Sequence, residues 1–239
     1  MIIFGKQCVL YVLENSSDSI KEIYLSKEVD KGLFSRLKRL KVPILRIDNK
    51  KAQGLSKGKN HQGLFAKISP LSLANVENAL SQKSLIVLCG VSDVGNIGNI
   101  VRTSYALGVG GVVVCDINLS LTALESVFRA SSGALLSLPF CVLESMESRL
   151  NTLDFINQLQ GAKFRLFGSG IVESALAFKG VNKGEKWALF LGSEDVGLHK
   201  KVLNKMDSII SIKMQNNFNS LNVSVACGIL VDRILQGRI

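Results

Sequence analysis

The sequence predicts two α/β units in tandem: a small basic one over residues 1–70, and a larger one over 84–239 built on a parallel sheet, joined by a linker over 71–83. Three observations carry this. Helix-like and strand-like segments alternate throughout the first third. At Ser84 the texture changes to short, mostly apolar runs separated by helical patterns, the mark of strands buried on both faces by helices. The charge divides at the same place: through Lys67 there are 14 Lys+Arg against 6 Asp+Glu, and beyond it 15 against 13.

In the first unit, residues 6–14 have the periodicity of an amphipathic helix and 21–25 that of a strand. Residues 31–40 form a strongly basic helix, and Pro43 leads into a strand over 43–47. A Lys/Gly/Ser-rich loop over 54–60 precedes His61-Gln62-Gly63 and a last strand over 64–68. Pro70 and the polar stretch to Lys83 suit a linker with some helical character. In the second unit, 86–89, 112–115, 164–167, 188–191 and 208–212 are the strand candidates, and 222–235 is an apolar C-terminal helix.

Hydrophobic residues make up 47% of the 239 residues, enough for a sizeable core. No apolar run approaches the roughly 20 residues of a membrane span, and the N-terminus lacks the order of a signal peptide, so a cytoplasmic protein is expected. A net charge of +10, concentrated in the first third, predicts a polyanionic partner, with nucleic acid foremost. Five scattered cysteines without a C-x-x-C pair read as reduced core thiols. With only His61 and His199, neither a His-rich metal centre nor a Ser-His-Asp triad is supported. Gly108-Val109-Gly110-Gly111 does not complete G-x-G-x-x-G and precedes a strand, and no P-loop motif exists.

Three segments carry the chemistry. Ser220-Leu221-Asn222-Val223-Ser224 opens the last helix with small polar residues, which supply caps and leave backbone N–H groups for a ligand; an ordinary N-cap is the plainer alternative. Asp93-Val94-Gly95-Asn96-Ile97-Gly98-Asn99-Ile100-Val101-Arg102 follows the first parallel strand, its glycines loosening the turn. Arg102 there can hold a phosphate through two hydrogen bonds or lie on a solvated face. Leu191-Gly192-Ser193-Glu194-Asp195-Val196-Gly197 puts Glu194 at a strand end, as a cap or as a residue shaping a ligand site.

In this order the three segments resemble the signature motifs of the SpoU/TrmH (SPOUT) family of RNA ribose 2′-O-methyltransferases. The resemblance implies an α/β domain with a parallel sheet and a C-terminal trefoil knot, S-adenosylmethionine as cofactor, no metal, and a homodimer. It assigns Arg102, Asn96, Glu194, Ser220 and Asn222 to the catalytic site, and Gly192, Ile212 and Leu221 to cofactor contacts. A guanidinium is a poor base, so Arg102 is expected to steady the developing 2′-oxyanion with help from a substrate phosphate. Phe4-Gly5 and His61-Gln62-Gly63 make the first unit similar to the L30e-like substrate-binding domain of the family, with His61 facing RNA or the domain interface. Ribosomal RNA, 23S rRNA in particular, is favoured over transfer RNA. A non-catalytic RNA-binding or ribosome-assembly protein of the same fold and a nucleotide-handling α/β enzyme are the rivals. Three positions depart from the family pattern: Lys213 stands where proline is usual, and Asp195 and Asn216 where glycine is common.

Overall fold

The computed structural model describes residues 1–143, 150–170, 180–182, 184–216 and 220–236. The chain opens with β1 (Ile2–Phe4), α1 (Lys6–Asn15), β2 (Ile20–Leu25), α2 (Lys31–Arg39), β3 (Ile44–Arg46), α3 (Asn49–Ser56) and β4 (Leu64–Ile68). Their sheet has the order β1-β4-β2-β3, with β4 antiparallel to both neighbours and β2 parallel to β3. Asp30 caps α2 by accepting from the Leu33 N–H, and Asp48 caps α3 by accepting from Lys51. The α3 helix extends into the stretch expected as loop, and Lys57 and Gly58 end it in the left-handed region.

The two short motifs of this unit meet each other. Phe4 pairs with Phe65, and the Gly5 N–H donates to the Leu64 carbonyl. The Gln62 side chain accepts from the Lys6 N–H at the start of α1. His61 is buried, stacks on Phe65 with ring centroids 4.9 Å apart, and accepts the Gly63 N–H through Nδ1. His61 therefore does not face RNA; it staples a turn to the core. Gly63 lies at φ 81° with the Lys27 side chain against it, so the turn tolerates no side chain there.

Helix α4 (Val76–Ser81) falls within the linker stretch and buries Ala79 against the second sheet's core. The second unit runs β5 (Ser84–Cys89), α5 (Val94–Ala106), β6 (Gly111–Cys115), α6 (Leu121–Ala130), β7 (Phe140–Val142), α7 (Thr152–Gly161), β8 (Phe164–Ser169), β9 (Lys186–Gly192), α8 (Lys200–Leu203), β10 (Ser208–Ile210) and α9 (Val223–Gln236). Its six strands are all parallel, in the order β10-β8-β9-β5-β6-β7. Alternate strand residues feed two cores. Ile86, Leu88, Val112, Val114, Leu189 and Leu191 pack towards α5, α6 and α9, whereas Leu85, Val87, Val113 and Phe190 pack towards α7 and α8. The expected runs are strands because both faces are covered. The implied knot depends on the chain's path between β8 and β9 and between β10 and α9, which includes 171–179 and 217–219, outside the described residues.

All five cysteines are free and buried, and burial pushes the Cys8 and Cys227 thiols up to about 12, the range of inert core thiols. No helix among the described residues is long and apolar enough to cross a membrane.

Gly98 is buried within α5 and does not loosen a turn. A Cβ there would collide with the Ala130 methyl and lie 2.9 Å from the Val127 carbonyl oxygen, so α5 and α6 meet at van der Waals contact through this glycine. Gly98→Val is expected to destabilise the protein by about 1–3 kcal/mol, read from urea unfolding, because α6 backbone cannot rotate aside.

The first unit rests on the same helical layer. Its α1 residues Cys8, Val9 and Val12 share a core with Val127 and Phe128 of α6. The Tyr11 hydroxyl donates to Ser137 at 2.7 Å, and its ring meets Tyr105 of α5 edge-on.

Candidate active site

Strands β5 and β9 are neighbours in the sheet but lead to opposite faces: β5 into α5 and β9 into the loop before α8. A crevice opens outside the carboxyl ends of two such strands, the usual ligand position in an open α/β sheet. The three motif segments converge there. Asp93 caps α5 by accepting the Asn96 N–H, which aims the Asn96 side chain across the crevice. Asn96 Nδ2 donates to Glu194 Oε1 at 3.1 Å. Asn222 Nδ2 donates to Asn96 Oδ1 and to Glu194 Oε1, both at 2.9 Å. Side chains 126 residues apart in the chain thus close a triangle of hydrogen bonds.

Glu194 is held by its own loop. Gly197, at φ 68°, turns the chain so that Ser193 and Gly197 form a bridge, and the Gly197 N–H donates to the Ser193 carbonyl at 2.9 Å. The turn folds back onto Gly192, whose missing Cβ leaves room for the Gly197 backbone. Asp195 needs no positive φ, because the left-handed residue of this turn is Gly197. Asn216 does adopt φ 56°; asparagine is among the few non-glycine residues that tolerate it. Lys213 is solvent-exposed.

The start of α9 differs from the expectation that its N–H groups are left for a ligand. The Val223 N–H donates to Glu194 Oε1, and those of Ser224 and Val225 donate to Asn222 Oδ1. Asn222 is thereby both helix cap and member of the triangle, and the Ser224 hydroxyl adds a 2.6 Å bond to its Oδ1. Backbone donors without a partner among the described residues lie instead along residues 212–216 and 220–222, on either side of residues 217–219, with Ile212 and Leu221 among them. Ile212 is half-buried against the core beyond β10, and Ser220 is exposed.

Arg102 is not part of the triangle. Six residues beyond Asn96, it lies ~9 Å further along α5 and about a third of a turn around it. Its side chain is exposed, with no hydrogen bond or ion pair among the described residues. The motif pattern does not mark Asp93 or Ser224 as structural members of the site. The Asp-x-x-Asn spacing of an N-cap is the signal that could have marked the first. Among the described residues, no group of His, Cys, Asp and Glu is arranged to hold a metal ion.

Residues 83–232 match the SpoU rRNA Methylase family, and residues 2–74 match the RNA 2′-O ribose methyltransferase substrate-binding family. The chain belongs to the SpoU rRNA methylase family. A Staphylococcus saprophyticus protein named as a TrmH family tRNA/rRNA methyltransferase is 26% identical over 100% of this chain and 96% of its own length. The 23S rRNA (guanosine-2′-O-)-methyltransferase RlmB of Vibrio cholerae is 29% identical over 99% of this chain and 97% of its own. Among solved structures, the SpoU methyltransferase AviRb of Streptomyces viridochromogenes, in complex with AdoMet, has the same fold. Its TM-score is 0.76 at 20% identity, over 100% of this chain and 90% of that one. The hydrogen-bonded triangle joins residues from all three family motifs.

Proposed function

We propose that this SpoU-family chain is an enzyme that transfers a methyl group from S-adenosylmethionine to a ribose 2′-OH of structured RNA, with 23S ribosomal RNA as its target. The observation that carries the reading is the Asn96–Glu194–Asn222 triangle at the carboxyl ends of β5 and β9. The name of the Vibrio cholerae relative supports the choice of RNA.

The residues present fit the cofactor. Unpartnered N–H groups at Ile212 and Leu221 are suited to a purine edge, and the tight turn on Gly192 keeps side chains out of the crevice. When bound, S-adenosylmethionine supplies a methyl group on a sulfonium, already a good leaving group, so that catalysis rests on orientation, which can contribute ~7–11 kcal/mol. Glu194, Asn96 and Asn222 hold the three loops in one geometry. Arg102 binds the phosphate beside the target ribose and stabilises negative charge on its 2′-oxygen as the hydroxyl proton leaves. Residues 1–70 act as the RNA-binding domain and 84–239 as the catalytic one. The protein acts in the cytoplasm as a homodimer, a reading to which the exposed Val225 and Leu235 of α9 are suited.

The test is methyl transfer from labelled S-adenosylmethionine to RNA from cells lacking the gene, with added chelator. Label is expected in 23S rRNA at an alkali-resistant linkage, the signature of a methylated 2′-oxygen. Label in transfer RNA would move the target, and label on bases or none at all would defeat the proposal.

A further inference from the structure

A cavity of about 510 Å³ lies between the first sheet and α6, within the ~300–1,000 Å³ that small ligands occupy. Lys57, Lys59 and Lys67 line it from the first unit and Arg129 from α6, against one acid, Glu125. Phe4 and Leu55 give it an apolar wall. Two of the cations are already engaged: Lys67 pairs with Glu22 at 2.7 Å, and the Arg129 guanidinium lies 5.2 Å over the Phe4 ring. Lys57 and Lys59 are exposed and have no ion-pair partner among the described residues. Free cations beside an apolar wall and an arginine–aromatic stack suit a phosphate joined to a planar base, and the base must be unpaired, because a duplex hides its faces.

The cavity also stands at the right end of the molecule. Helix α6 begins beyond the carboxyl end of β6, as α5 begins beyond that of β5. Thr122, Glu125, Ser126, Phe128 and Arg129 of α6 line the cavity, which thus follows the helix to its last turn, and that turn packs on Gly98 of α5, two residues beyond Asn96. We propose that this cleft seats an unpaired nucleotide of the RNA substrate away from the methylated ribose, its phosphates on Lys57, Lys59 and Arg129 and its base on the Arg129–Phe4 stack. The inference rests on RNA being the substrate and adds what that RNA must present: a single-stranded segment gripped by both units at once.

The test compares a short unpaired RNA oligonucleotide, the same sequence as a duplex, and a mononucleotide, by fluorescence anisotropy on the full chain over a range of salt. The variant is Lys57→Asn with Lys59→Gln, asparagine being chosen because Lys57 has φ 51°. Lys21→Gln with Lys31→Gln removes the same charge from elsewhere on the unit. The cleft pair should weaken the unpaired strand roughly tenfold and reduce the salt slope by ~1.4, at ~0.7 for each single-strand phosphate that is no longer neutralised. The control pair should change it far less. Equal effects of the two pairs, equal affinity for the duplex, or a mononucleotide bound as tightly as the oligonucleotide would each overturn the proposal. Methyl transfer to 23S rRNA, measured with the same protein variants, separates the two readings. Cleft-dependent binding without transfer leaves this site standing and removes the catalytic one; transfer unaffected by the cleft pair does the reverse.

Discussion

Arg102→Ala is expected to slow single-turnover methyl transfer by ~10²–10³, the usual cost of losing one preorganised donor to a developing oxyanion. Cofactor affinity and folding should not change. The side chain is exposed and makes no hydrogen bond or ion pair among the described residues, so truncating it breaks nothing that stabilises the fold. A surface change of this kind stays within about 0.5 kcal/mol. Arg102→Lys should not restore the rate, because an ammonium lacks the planar fork that holds a phosphate at two points. The measurements are transfer to the cognate RNA in a single turnover and S-adenosylmethionine binding by calorimetry. Near-normal turnover in Arg102→Ala would take Arg102 out of the site and leave the target phosphate and the developing oxyanion to other residues.

The parallel strands were legible because their burial on two faces leaves continuous apolar runs, as in Leu85 to Leu88 and Ala188 to Leu191. Strands β1 and β7, of three residues each, were not. So short a run carries no periodicity, and what makes Phe140–Val142 a strand is pairing with β6. Helix α3 escaped notice because it buries only Ala52 and Ser56, leaving no apolar stripe to reveal a period of 3.6. At the site, the motifs told which residues matter but not how they meet. The N–H groups of α9 look free in sequence, yet they are satisfied by Glu194 and Asn222, and the acceptor on Glu194 comes from a loop 28 residues upstream. His61 misled for the opposite reason. A histidine in a polar loop reads as exposed, whereas Phe65 and the Gly63 N–H hold it in the core. Deleting residues 1–68 would not isolate an RNA-binding function either, since Phe128 and Val127 of α6 share a core with α1 and would be left bare.

Gly192→Ala is expected to bring S-adenosylmethionine binding below calorimetric detection. The new methyl group would collide with the carbonyl carbon and oxygen of Gly197 and with the Leu198 nitrogen. These are backbone atoms with no rotamer to change, so the 193–197 turn has to move and takes Glu194 with it. Glu194 Oε1 accepts from Asn96, Asn222 and the Val223 N–H, so one displacement releases all three motif loops. Stability should suffer less than binding, because Glu194 and Asn222 are exposed and water can replace their partners; the lost cap of α9 costs about 1 kcal/mol. Glu194→Ala should reproduce most of the binding loss without the steric collision. Glu194→Gln should retain much of the binding, since Oε1 accepts all three hydrogen bonds and an amide carbonyl, with two lone pairs, can take over two of them. If Gly192→Ala binds the cofactor normally, the turn does not shape the cofactor site. If Glu194→Gln fails as badly as Glu194→Ala, the site needs a negative charge at this position and the role of Glu194 is electrostatic, not architectural.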